Sequence, residues 1–171
     1  MAPGRIRGLL FDKDGTLFDF AATWAVVTER LLDVLAPDAE ARVPMGHAVG
    51  YDAATRRFVP GSPMVAGTVQ DCAALWARFR PDLGADRIAE LAERITGEAV
   101  AGGALVPAHA DLAGFLAELR ADGYRLGVAT NDSEAAARQQ LAVAGILAAF
   151  DFVAGADSGH GAKPGPGMLI A

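Results

Sequence analysis

Leu9-Leu10-Phe11-Asp12-Lys13-Asp14-Gly15-Thr16-Leu17 is the stretch on which the reading of this chain turns. An apolar run over residues 6–11 stops abruptly at two carboxylates, two positions apart, followed by a glycine. A short apolar run bounded by turn chemistry is the pattern of a buried strand. The same Asp-Gly step is also a hairpin signal, in which Asp12 would merely cap a turn. The next residues speak against the hairpin, because no partner strand follows. Trp24, Val27, Leu31, Leu32 and Leu35 recur at helical spacing, and Pro37 closes the pattern. A polar, Gly- and Pro-containing stretch over residues 44–63 precedes helical patterns at 69–79 and 88–95. Residues 20–103 therefore read as an all-helical insert of about four helices.

Beyond Gly102-Gly103 strands return. Leu112, Phe115, Leu116 and Leu119 form an amphipathic helix that Asp122-Gly123 stops. Residues 124–129 read as a buried strand ending at Thr130-Asn131-Asp132, and residues 133–147 as a helix with Ser133 as its N-cap. A third strand over residues 150–154 leads into a Gly-rich loop bearing Lys163-Pro164, and another helix starts near Gly167. Strands alternating with helices imply parallel βαβ units, hence an α/β fold. In such sheets ligands gather at the carboxyl ends of the strands. Asp12 and Asp14, Thr130 and Asn131, and Lys163 all fall at such ends.

These residue types suit phosphoryl transfer, which needs a nucleophile, an acid for the leaving oxygen, a divalent metal and fixed positive charge. Asp12 is the candidate nucleophile. Asp14 is the candidate general acid and then base, since close carboxylates raise one another's proton affinity. Gly15 permits the turn that brings Thr16 and backbone amides towards a phosphate. Thr130 and Asn131 offer a hydroxyl and an amide, although a plain strand-to-helix cap explains Thr130 better when it is taken alone. Lys163 offers a compact point charge, or is an ordinary solvated lysine. Arg56 and Arg57 are open to the same bland account.

Composition narrows the partners. Fifteen basic against 21 acidic residues give a net charge of −6, with no basic stripe for nucleic acid. Of the basic residues only Lys13 and Lys163 are lysines. Cys72 is the only cysteine, so an internal disulfide cannot form, and it reads as core. Arg5 and Arg7 interrupt any leader-like segment, and the longest apolar run, residues 141–150, reads as a core helix too short for a bilayer. The expected setting is cytoplasmic, without membrane contact.

The quoted first stretch is similar to the first motif of haloacid dehalogenase-superfamily phosphatases. Val128-Ala129-Thr130-Asn131 resembles the second, and Lys163-Pro164 with Pro166 the third. The resemblance implies a Rossmann-like parallel-sheet core, residues 1–19 with 104–171, and an inserted helical cap, residues 20–103, of the phosphoglycolate phosphatase-like type. It further implies Mg²⁺ held by the Asp12 carboxylate and the Asp14 backbone carbonyl, with a small phosphorylated metabolite as substrate. An acid at position 14 points to ester hydrolysis or a sugar phosphomutase rather than dehalogenation. No acidic fourth motif follows Lys163, so the core is expected to be incomplete at its C-terminus. Asp157 lies at a loop position and does not match that ligand. The alternative to an active phosphatase is a catalytically weak chain that keeps the fold.

Overall fold

The computed structural model describes residues 6–36 and 38–171; Arg5 and Pro37 lie outside the described residues. Along the chain run β1 (Gly8–Phe11), α1 (Phe20–Leu35), α2 (Ala39–Ala48), β2 (Tyr51–Asp52), β3 (Arg57–Phe58), α3 (Pro63–Ala66), α4 (Val69–Trp76) and α5 (Gly84–Ala99). Then come α6 (Leu112–Ala121), β4 (Arg125–Ala129), α7 (Glu134–Val143), β5 (Phe152–Ala154) and α8 (Gly167–Ile170). The chain divides into two compact units, residues 1–19 with 107–171, and residues 20–106.

The first unit is built on a parallel sheet in the order β1-β4-β5. Leu9 lies beside Leu126 and Phe11 beside Val128, while Ala129 lies beside Ala154. The strand that leads into Asp12 is therefore paired in a parallel ladder rather than in a hairpin. β4 is the central strand and is buried from Leu126 to Ala129, which is why it reads as continuously apolar. Gly127 matters here, since a Cβ would come within 2.9 Å of Leu10 Cδ1 and 3.3 Å of Phe152 Cδ1. The missing side chain lets residues from both neighbouring strands lean across β4.

Helices α6 and α7 begin at side-chain caps. Asp111 Oδ1 accepts from Gly114 N at 2.9 Å, and Ser133 Oγ from Ala136 N at 3.3 Å. Gly123, at φ 88°, ends α6. The apolar run over residues 141–150 is not one helix. Gly145 turns it at φ 71° and a short 3₁₀ segment, Leu147–Ala149, follows. At the far end of the sheet, Asp151 Oδ2 accepts from Arg120 Nη1 at 2.9 Å and from Leu126 N at 3.1 Å. Those bonds, Arg120's foremost, hold the Asp151 carboxyl below its usual range.

The second unit buries Val27, Leu31, Leu32, Leu35, Met45, Trp76, Ile88 and Ile95 in one cluster. α2 continues through Pro44, which lies inside it. Asp38 caps it, and Trp76 Nε1 donates to Met45 O at 3.0 Å, so packing outweighs the lost proline N–H. Trp76→Ala removes both this bond and the largest fully buried side chain. The substitution should cost about 3–5 kcal/mol, and urea unfolding followed by circular dichroism would refute this with an unchanged midpoint.

The insert is helical except for a small antiparallel hairpin, in which Tyr51 pairs with Phe58 and Asp52 with Arg57. Asp52 stabilises its loop by accepting from Ala54 N at 2.9 Å and Thr55 Oγ1 at 2.8 Å, and Arg56 takes the left-handed position at φ 55°. No glycine marks the turn, and two-residue strands are too short to show alternation. Tyr51 OH donates to Glu29 at 2.9 Å, and burial, helped by Glu29, pushes its phenol up to about 12. Arg56 also pairs with Glu29, at 3.2 Å.

Candidate active site

Asp12 leaves β1 next to Ala129, at the carboxyl ends of both strands. Its Oδ1 accepts from the Lys13 backbone N at 2.8 Å and from Lys163 Nζ at 2.6 Å. The Lys163 ammonium also donates to Ala129 O at 3.2 Å. Lys163 is placed by its backbone, which exchanges two hydrogen bonds with the Asn131 amide. Lys163 N donates to Asn131 Oδ1 at 2.7 Å, and Asn131 Nδ2 donates to Lys163 O at 3.1 Å. The Lys163-Pro164 peptide is cis.

The loop after Asp12 folds on itself. Gly15 sits at φ 82°, its N–H donating to Phe18 O at 2.8 Å, while Leu17 N donates to Lys13 O at 2.9 Å. Leu17 and Phe18 are buried and anchor the loop, leaving Gly15 and Thr16 exposed. Thr130 is buried, and its hydroxyl oxygen accepts from Asp132 N at 3.2 Å. That bond uses a lone pair, so the hydroxyl proton is not consumed by it.

Lys13 is completely buried, an unusual fate for lysine. Its ammonium lies 2.5 Å from Asp14 Oδ2, 2.9 Å from Asp132 Oδ2 and 2.5 Å from Gln140 Oε1. Burial disfavours the charged form, but Asp132 and Asp14 outweigh it and hold its pKa above the ordinary lysine value. Asp132 and Gln140 are the members of this cluster that the motifs do not reveal. The signals available were a lysine between two acids in an arginine-rich chain, and a glutamine on the apolar face of α7 beside Ala137 and Leu141.

Asp157 is engaged at a helix end. Its Oδ1 accepts from Glu134 N at 2.7 Å, at the start of α7. Ser158 Oγ donates to Glu134 Oε2 at 2.6 Å and accepts from Gly155 N at 2.9 Å, so the loop after β5 is tied to the same helix end. Gly155 must stay small, since a Cβ would fall 2.2 Å from Glu134 N. Cys72 is buried elsewhere, in the second unit, and burial pushes its thiol up to about 12, which makes it inert.

Among the described residues no group of three or more His, Cys, Asp or Glu could hold a metal ion. The Asp12 side chain offers a hard, half-exposed carboxylate oxygen. That is the right chemistry for Mg²⁺, which often takes one or two carboxylates and fills its shell with water and phosphate oxygens.

A parallel sheet with a carboxylate and a lysine paired at its carboxyl end is the frame onto which the comparisons with known proteins fall. The haloacid dehalogenase-like hydrolase model matches residues 6–171. A phosphoglycolate phosphatase of Cereibacter sphaeroides (strain ATCC 17029 / ATH 2.4.9) is 32% identical over 166 residues, which is 96% of this chain and 69% of that protein. CbbY from Rhodobacter sphaeroides in complex with phosphate superposes with a TM-score of 0.67 at 20% identity, over 96% of this chain and 70% of that one. A HAD phosphatase from Thermococcus onnurineus gives 0.60 at 22% identity, over 96% and 69%. The chain belongs to the haloacid dehalogenase-like hydrolase family, and resembles its phosphoglycolate phosphatase-like members. By class it is a phosphoric monoester hydrolase. Among the described residues, no helix is long and apolar enough to cross a membrane.

Proposed function

We propose that this chain hydrolyses a small phosphomonoester through an aspartyl-phosphate on Asp12. The observation that carries the reading is the Lys163 ammonium 2.6 Å from Asp12 Oδ1, fixed also on Ala129 O at the strand ends. An Asp12 oxygen attacks phosphorus, the ester P–O bond breaks, and the leaving oxygen takes a proton from Asp14. Asp14, now a carboxylate, accepts a proton from water as the water oxygen attacks phosphorus. The bond to Asp12 breaks and inorganic phosphate leaves. Lys163 offsets charge on the nucleophile and the phosphoryl oxygens, while Thr130, Asn131, Gly15 and Thr16 line the phosphate position. Mg²⁺, when bound, would be held by the Asp12 carboxylate and the Asp14 carbonyl and would supply further charge neutralisation. Residues 20–106 serve as the cap that selects the substrate, for which the curated relative suggests 2-phosphoglycolate.

The thin metal donor set favours a second reading, in which the chain keeps the fold but turns over weakly. Phosphate release from a phosphomonoester panel including 2-phosphoglycolate, with Mg²⁺ titrated and then chelated, separates the two. Chelator-sensitive release supports the enzyme. A folded chain that releases no phosphate at any Mg²⁺ concentration leaves the second reading.

A further inference from the structure

Lys13 stands directly between the proposed nucleophile and the proposed acid in sequence, yet its ammonium points inward and has no part in the reaction as drawn. It lies 2.5 Å from Asp14 Oδ2, while Asp132 Oδ2 at 2.9 Å and Gln140 Oε1 at 2.5 Å also hold it. Gln140 itself donates to Asp132 Oδ2 at 3.4 Å, so the two holders also touch each other. The Lys13 carbonyl is used as well, accepting from Leu17 N at 2.9 Å and Phe18 N at 3.1 Å. One residue therefore governs both the path of the Asp12–Phe18 loop and the setting of one Asp14 oxygen.

A buried charge of this kind is held only where its partners are well placed, and breaking one contact strands the rest. A simple apolar residue at position 13 would fill the same space at lower desolvation cost. The energetic expense makes sense if orientation is what the cluster supplies.

We infer that Lys13 is a positioning residue, through which Asp132 and Gln140 of the α7 region fix the Asp14 carboxylate for proton transfer. The inference rests on the reading of Asp14 as the acid, and it deepens that reading by naming what aims it. Asp132 and Gln140 touch no reacting atom in this scheme, yet their loss should be felt in turnover. Misplacing a proton donor by about 1 Å can cost on the order of 10²-fold.

The test compares Lys13→Met, Lys13→Arg, Asp132→Asn and Gln140→Leu with the parent chain, using 2-phosphoglycolate and Mg²⁺. Two quantities are read on each: kcat and KM separately, and amide hydrogen exchange of Gly15, Leu17 and Phe18. The expected result is a kcat lowered about 10²-fold in Lys13→Met and about 10-fold in Asp132→Asn. KM should stay within about twofold, Lys13→Arg should restore part of the loss, and exchange should quicken in the loop but not in β4. If Lys13→Met does not fold, the Asp132 and Gln140 variants carry the test alone. An active parent whose Asp132→Asn variant keeps full kcat overturns the inference. An inactive parent would count against the proposed function, and exchange then decides: quickened loop amides in Asp132→Asn support the linkage, and unchanged ones overturn it.

Discussion

Asp12→Asn should reduce phosphate release by about 10⁴-fold or more while leaving the chain as stable as the parent. The two halves of this expectation have different physical sources. Asparagine keeps the shape of aspartate and an oxygen able to accept the Lys13 N–H at the position now 2.8 Å away. The ion pair it removes, Asp12 with Lys163, is partly exposed, with side chains 49% and 34% accessible. Such pairs contribute about 1 kcal/mol or less. An amide oxygen, however, is a far weaker nucleophile than a carboxylate, and no nearby group replaces it in covalent chemistry. Acid-quenched protein should accordingly carry a covalent phosphoryl group in the parent and none in the variant. A variant with substantial release at an unchanged melting temperature would exclude the aspartyl-phosphate route.

The second large effect is expected from Asp14→Asn, and it should depend on the leaving group. An alkoxide departs poorly without a proton, so hydrolysis of an alkyl phosphate should fall by about 10²–10⁴-fold. p-Nitrophenolate leaves readily without one, so formation of the covalent intermediate from the aryl ester should survive. Its breakdown still needs a base to activate water. The variant should therefore release a rapid burst of nitrophenolate, equal to the protein present, followed by slow turnover. Equal losses on both esters with no burst would remove Asp14 from the acid–base role. Part of any effect is structural, because Asp14 is one of two carboxylates on a buried ammonium. The melting temperature must be read alongside.

Much of the sheet is legible in the sequence because each strand is a short apolar run that stops at a polar residue or a glycine. Phe11 gives way to Asp12, Ala129 to Thr130, and Ala154 to Gly155. Strand order and register are not, since they are set by contacts such as Leu9 beside Leu126. The second unit shows where local rules fail. Pro44 lacks a backbone N–H, yet Asp38 at the cap and Trp76 on Met45 O keep α2 helical. The hairpin at Tyr51 carries no glycine at its turn, because Asp52 bonds do that work and Arg56 tolerates the left-handed angle. At the candidate site, residue types point to a chemistry, but partners come from folding. Gln140 reaches Lys13 across 127 positions, and Asp157 accepts from Glu134 N, one of the first amides of α7, which have no partner within the helix.

One pair of hydrogen bonds bears on how the chain assembles. Thr23 Oγ1 accepts from Val106 N at 3.1 Å, and Leu17 O accepts from Ala108 N at 2.9 Å, so within each unit the two segments that lead to the other unit lie side by side. Before β1 can meet β4, a loop of more than a hundred residues must close, a cost that grows by about 0.6 kcal/mol per doubling of length. Once residues 20–106 have folded around their own core, that loop is effectively reduced to residues 12–19 and 107–124. Local helix pairs such as α4 and α5 form over short separations and ought to come first. The inserted unit then acts as a staple for the sheet, shortening the search that brings Asp12 to Lys163.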